Sequence, residues 1–197
     1  MYEHFWFERY QPKAGNVILD IGAGRGEDII AFTEAVKPGG RVIAAEAHPE
    51  AYRDLFAVCD RYGAECVRVA CVGTSGIYQI ETTPNYESAY ILQGPPTTTS
   101  HKVVGQTLTE FISGFGVQRV DLLKMNIEGS ELEALTGSPD ALPMIRHAVI
   151  CCHDHRANRG EGERFRTMAP VTRLLEASGF ETWTRQDWGH VHAWRKP

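Results

Sequence analysis

The sequence predicts a doubly wound α/β fold on a mostly parallel sheet, and three observations carry that expectation. Apolar, β-branched runs alternate with segments of helical pattern, a glycine-rich turn joins the first run to its helix, and the runs close in polar residues at their carboxyl ends. With 197 residues and 43% apolar content, the chain has enough for one domain with a substantial core and too little for two. Residues 1–197 are therefore expected to form a single domain, with an aromatic segment over 1–13 and an inserted hairpin and mobile loop over 74–105.

The first element lies in NVILDIGAGRGEDII, residues 16–30. Val17, Ile18, Leu19 and Ile21 suit a strand buried on both faces, and Gly22, Gly24 and Gly26 let the backbone turn sharply beside a ligand. Glu27 and Asp28 open a helix that stops at Pro38–Gly40. RVIAAEAH gives a second strand ending near Glu46, and PEAYRDLFAVCDRYG a helix with Pro49 in its first turn. ECVRVACVG reads as the third strand, ending at Cys71–Val72. From Thr74 to Gly105 the pattern changes to short alternating runs, YQIET and AYILQ, around the turn-rich GPPTTTS. QTLTEFISGFG is a helix, and VDLLKMN a fourth strand whose end spans Asn126–Glu128. Gly129 permits a turn there, and Gly129 or Ser130 starts a helix with Glu131 in its first turn. HAVICCHDH is the fifth strand, ending at His153–His155; VTRLLEASGF is a helix, and ETWTR and HVHAWR are the last strands.

Charge and composition narrow the partners. A net charge of -5 without a Lys/Arg stripe argues against nucleic acid. No apolar run approaches the roughly 20 residues of a membrane span, and residues 1–11 lack the apolar core of a signal peptide, so a soluble, cytoplasmic protein is expected. Five cysteines without a CxxC pair indicate neither a disulfide framework nor a zinc site.

In an open parallel sheet, ligands bind beyond the carboxyl ends of the strands. The glycine pattern there is GxGxG, whereas a dinucleotide's pyrophosphate calls for GxGxxG at a helix N-terminus. Glu27 and Asp28 repel a pyrophosphate and suit a phosphate-free ligand, such as the sulfonium and amino-acid end of S-adenosylmethionine. Gly22, Gly24, Val72 and Asn126 join Glu46 as cofactor-binding candidates; Glu46 is placed to accept both ribose hydroxyls, the alternative being a solvated charge. Asp20 is expected to bond loop amides or, through water, the cofactor's ammonium. Lys124, Asn126 and Glu128 interrupt an otherwise buried strand, and buried polar groups need partners. Lys124 and Glu128 share a face and are expected to pair, while Glu128 either caps loop amides or meets substrate or cofactor.

Taken together, DIGAGRGEDI, AAEAHPE, TLTEF and VDLLKMNIEGSELEAL resemble the FkbM family of S-adenosylmethionine-dependent methyltransferases, over roughly residues 14–180. That family has a loop resembling DIGANIG and a segment resembling KIDVEGAE. Here Arg25 stands where the family loop is commonly apolar, and Asn126 where it has aspartate. The resemblance implies a Rossmann-like class I methyltransferase fold and O-methylation of a hydroxyl on a sugar, glycoside or related natural product.

Such a transfer needs an in-line oxygen nucleophile whose proton is removed or polarised. CCHDHR places His153, Asp154 and His155 at the end of the fifth strand, across from Asn126, and a histidine with a pKa near 6.5 can take that proton. His153, His155, Asn126 and Glu128 are the catalytic candidates; which histidine is the base stays open. Asn126 and Asp154 also fall where some small-molecule O-methyltransferases hold Mg2+, a set of oxygen ligands that suits this ion. Arg156, Arg159, Arg164 and Arg166 alternate with Glu161 and Glu163, the pattern of a solvated loop. Tyr2, Phe5, Trp6 and Phe7 form a lid, pack on the core, or join a second copy in a homodimer. Two rivals remain: an NAD-dependent oxidoreductase, which lacks its GxGxxG loop here, and a non-catalytic cofactor-binding module.

Overall fold

The computed structural model describes residues 3–81, 89–92 and 94–196. Tyr2 and part of the expected insertion, residues 82–88 and 93, lie outside the described residues. In chain order the elements are α1 (Glu3–Trp6), β1 (Val17–Ile21), α2 (Ile29–Val36), β2 (Arg41–Ala45), α3 (Pro49–Tyr62), β3 (Glu65–Val67), β4 (Ala70–Cys71), β5 (Gly76–Glu81), β6 (Tyr90–Ile91) and β7 (Ser100–Gln106). They continue with α4 (Leu108–Gly114), β8 (Val120–Met125), α5 (Glu131–Thr136), β9 (Ile145–Cys151), α6 (Asp154–Asn158), α7 (Met168–Ala177), β10 (Glu181–Arg185) and β11 (His190–Trp194).

A seven-stranded sheet runs β10-β11-β9-β8-β1-β2-β3. The strands from β9 through β3 are parallel, and β11 and β10 add antiparallel pairings at one edge. The alternation of β1 explains why both faces are covered. Ile18 packs with Phe32 and Leu55 on the side of α2 and α3, whereas Leu19 and Ile21 join Ile112, Leu135 and Val171 on the other. Chain order reverses between β1 and β8, and a ligand crevice forms at such a switch point.

Two strand ends differ from the sequence expectation. ECVRVACVG is not one strand: β3 pairs with β2 through Val67, then the chain leaves the sheet and Ala70–Cys71 pairs with β7. A continuous apolar run does not reveal a change of pairing partner. The second sheet, of order β4-β7-β5-β6, contains the expected hairpin region. The fifth strand stops at Cys151, and His153 immediately precedes the short helix α6, so the two-residue alternation of a strand does not govern His153 and His155.

Helix ends follow local chemistry. Thr107 and Glu110 close a capping box on α4, and Gly63, at φ 77°, ends α3. Phe7 packs against Phe32, and Trp6 stacks on His190, so these two aromatics pack onto the core.

Candidate active site

The carboxyl ends of β1, β2 and β8 open into a cavity of about 400 Å³. Gly22 sits at its base with φ 77°, and a Cβ there would lie 1.9 Å from the carbonyl oxygen of Asn126, so the β1–β8 crossing requires glycine. The Gly22 and Ala23 amides donate to the Ala45 carbonyl, and the Asn126 amide donates to Ile21. These bonds tie the glycine turn to both neighbouring strands.

Glu46 follows β2 and faces the cavity. Its Oε2 accepts from the Gly24 amide at 2.8 Å and its Oε1 from the His48 amide at 2.7 Å, which fixes the carboxylate and leaves lone pairs for a ligand. Burial raises its pKa to about 7, against the lowering pull of those amides. Asn126 also lines the cavity, and its buried Oδ1 has no hydrogen-bond partner among the described residues. Val72 is buried under the second sheet with Ala70, Ile80 and Val103; it is the neighbouring Cys71 that lines the cavity.

The structure corrects the expected pairing of Lys124. Its Nζ lies 2.7 Å from Asp20 Oδ1, donates to the Gly22 carbonyl at 2.7 Å, and approaches Asp28 at 4.0 Å. Asp20 is fully buried behind this lysine and does not line the cavity. Burial lifts the Asp28 carboxyl to about 6, with Lys124 opposing the rise. Lys124 and Asp20 are paired in β-sheet register across β1 and β8, whereas Glu128 follows a turn beyond the strand.

Glu128 is the one non-glycine among the described residues with positive φ, at 52°. For an L-residue that conformation costs about 1–2 kcal/mol, and the surroundings must hold it. Here Arg156 Nη1 donates to its Oε2 at 2.8 Å, and His153 Nε2 lies 3.0 Å from its Oε1. On the other side, His153 Nδ1 contacts Glu131 Oε1 at 2.9 Å, and Glu131 Oε2 accepts from Thr167. Burial alone would depress the His153 pKa, but the two carboxylates outweigh it and raise the value to about 10. His153 is therefore an imidazolium at neutral pH, with no vacant nitrogen to receive a proton. Partial desolvation and the His153 cation instead lower the pKa of His155, which lines the cavity at an exposed position. The two rings are 5.7 Å apart.

Other expectations shift with this network. Asp154 Oδ1 accepts the Thr167 and Met168 amides at 2.8 and 2.9 Å, capping α7, and Asp154 does not line the cavity. The proposed Asn126/Asp154 metal pair is thus not assembled there, and no group of three or more His, Cys, Asp or Glu among the described residues is arranged to hold a metal ion. Arg156 is buried, not solvated, and also binds Glu161 at 2.7 Å. Glu131 and Arg156 become site residues only through tertiary packing; the sequence signal available was an acid in the first turn after a glycine bend.

A mostly parallel sheet with this strand order, a glycine turn, and an acid after β2 define the Rossmann-like class I methyltransferase fold. Residues 20–194 match the Methyltransferase FkbM domain, and the chain belongs to that family. The crystal structure of methyltransferase FkbM from Methylobacillus flagellatus KT is similar at TM-score 0.67 and 16% identity, covering 98% of this chain and 47% of that one. Precorrin-6y C5,15-methyltransferase from Geobacter metallireducens GS-15 gives TM-score 0.57 at 13% identity, over 98% and 87% of the two chains. Aeropyrum pernix fibrillarin, in complex with natively bound S-adenosyl-L-methionine, gives 0.53 at 16% identity, over 94% and 68%. At these identities the likeness is one of fold. The AMB antimetabolite synthetase AmbE of Pseudomonas aeruginosa (strain PAO1) is 33% identical over 89 residues, 45% of this chain but 4% of the synthetase.

Proposed function

We propose that this methyltransferase-family chain uses S-adenosylmethionine to methylate a hydroxyl of a sugar, glycoside or related natural product. The observation that carries the reading is one cavity holding both the fixed Glu46 carboxylate at the glycine turn and the His155 imidazole, whose pKa partial desolvation and the His153 cation lower. Glu46, Gly22, Gly24 and Asn126 would hold the cofactor, and the orphaned Asn126 Oδ1 fits an ammonium or hydroxyl donor. When bound, the cofactor supplies an electrophilic methyl group on a sulfonium.

The chain's own residues prepare the acceptor. His155 receives the acceptor's hydroxyl proton, and Glu128, fixed by His153 and Arg156, orients that hydroxyl from the cavity wall. Ile80, Tyr90 and Ile91 present an apolar wall that suits the CH face of a sugar ring or a related scaffold. The family resemblance leads to carbohydrate acceptors, and the net charge of -5 favours a small molecule over nucleic acid. No described helix is long and apolar enough to cross a membrane.

The test is product formation from labelled S-adenosylmethionine with a panel of glycosides and hydroxylated natural products, for wild type and His155→Gln. A methyl ether from the wild type is expected, with kcat lowered about 100-fold or more in the variant. Methylation of amines with none of the hydroxyl compounds, or an unchanged kcat in His155→Gln, overturns the reading.

A further inference from the structure

The acceptor end of the cavity carries charge that methyl transfer to a neutral hydroxyl does not use. His155 and Tyr90 both line it, and a guanidinium lies near each. Arg164 Cζ is 4.5 Å from the Tyr90 ring centroid and 4.6 Å from that of Phe165, and Arg159 is among the cations that lower the His155 pKa. Phe165 is buried and meets Tyr90 edge-on with centroids 6.3 Å apart, so Arg164 rests on a fixed aromatic floor.

The arginines of this segment divide by their partners. Arg156 binds Glu128 and Glu161, and Arg166 binds Glu163 at 2.8 Å. The other oxygen of Glu128 faces His153, and Asp154 is taken up by the Thr167 and Met168 amides. With those carboxylates engaged, no described residue ion-pairs with Arg159 or Arg164, and the Arg164 Nε, although buried, has no hydrogen-bond partner among the described residues. A donor in that state calls for an acceptor from elsewhere. The sign reverses at the glycine turn, where Glu27, Asp28 and Glu46 line the cavity and Lys124 is already paired with Asp20. A cation such as the cofactor's sulfonium suits that end, and an anion the other. The net charge of -5 does not oppose this at contact, because exposed charges more than about 8 Å away are screened at physiological salt.

We infer that Arg164 and Arg159 form an anion subsite at the acceptor end, which selects a hydroxyl acceptor that also carries a carboxylate or phosphate, such as an acidic glycoside. This rests on the hydroxyl-acceptor reading above and narrows its substrate class. Arg164 is the specificity-determining residue: its planar fork of N–H donors matches either anion, while Tyr90 beside it meets the apolar face of the ring.

The test compares kcat/KM for phenyl β-glucuronide, phenyl β-glucoside 6-phosphate and neutral phenyl β-glucoside, with labelled S-adenosylmethionine. The wild type should prefer a charged acceptor to the neutral one by about tenfold or more, and the larger preference identifies the anion as carboxylate or phosphate. In Arg164→Gln that ratio should fall at least about fivefold, whereas Arg166→Gln, on the same segment but paired with Glu163, should keep the wild-type ratio. A second readout needs no variant: the wild-type ratio should shrink as NaCl rises from about 50 to 500 mM. A wild-type ratio near one, a ratio unmoved by salt, an equal ratio in wild type and Arg164→Gln, or equal losses in both variants overturns the anion subsite and leaves hydroxyl methylation standing. So does a wild type that methylates other hydroxyl compounds and neither charged glycoside. Methylation of no hydroxyl compound at all overturns the hydroxyl reading itself, and this inference with it.

Discussion

His153→Gln removes the cation held between Glu128 and Glu131, and the consequence should depend on pH in a defined direction. Glu131 is fully buried, so the variant leaves its carboxylate without a cation, while Glu128 keeps Arg156. Breaking such a buried pair costs about 3–5 kcal/mol. The sign follows from the folded-state pKa of about 10, above the ordinary 6.5. Stability from the proton is fully present below 6.5 and is lost as pH rises through 10. At 1.36 kcal/mol per pKa unit, the wild type should lose about 2.5 kcal/mol between pH 7 and pH 9 from this group. Glutamine does not titrate, so the gap between wild type and variant should narrow by that amount. Urea unfolding followed by circular dichroism at each pH measures it, and at pH 7 the melting temperature should fall by roughly 6–20 °C. A gap below about 1 kcal/mol at pH 7, or one that stays flat from pH 7 to 9, would refute the protonated bridge.

Gly22→Ala should disrupt the β1–β8 crossing, because the new Cβ meets the Asn126 carbonyl at 1.9 Å from a backbone at φ 77°. A destabilisation of about 3 kcal/mol or more is expected by thermal unfolding, with loss of S-adenosylhomocysteine binding; a variant of wild-type stability contradicts the close approach. The Glu46 pKa of about 7 lies above the ordinary carboxylate value, so ionising it disfavours the fold as pH rises from 4.5 through 7. Ligand binding should show the opposite slope: S-adenosylhomocysteine affinity is level above pH 7 and falls below it, by at most about tenfold per pH unit. Affinity independent of pH from 5.5 to 8, measured calorimetrically, would remove Glu46 from the ribose role.

Much of the sheet was legible because its information is local. The Val17–Ile21 strand, the glycine turn and the start of α5 after Ser130 are written in β-branched runs, glycines and polar breaks. Partners separated along the chain were not. Lys124 and Glu128 looked like a pair by spacing, yet strand adjacency delivers Asp20 to Lys124 across more than a hundred residues of sequence. Likewise HDHR gave two equivalent histidines, and only the turn into α6 makes one a bridged cation and leaves the other with a lowered pKa. Asp154 shows the same limit: its carboxylate serves backbone amides thirteen and fourteen residues on, a capping role that a strand reading conceals. Trp6 was visible as an aromatic, but its place in the cavity depends on β11, near the far end of the chain.

The central claim is that the cavity at the β1–β8 switch point holds an adenosyl cofactor through Glu46. Calorimetric titration of wild type and Glu46→Gln with S-adenosylhomocysteine, and separately with NAD, tests it most directly. The account predicts micromolar binding of S-adenosylhomocysteine to the wild type, at least about tenfold weaker binding to the variant, and no comparable NAD binding. Preferential NAD binding, no binding of either compound, or equal S-adenosylhomocysteine affinity in both proteins would contradict it.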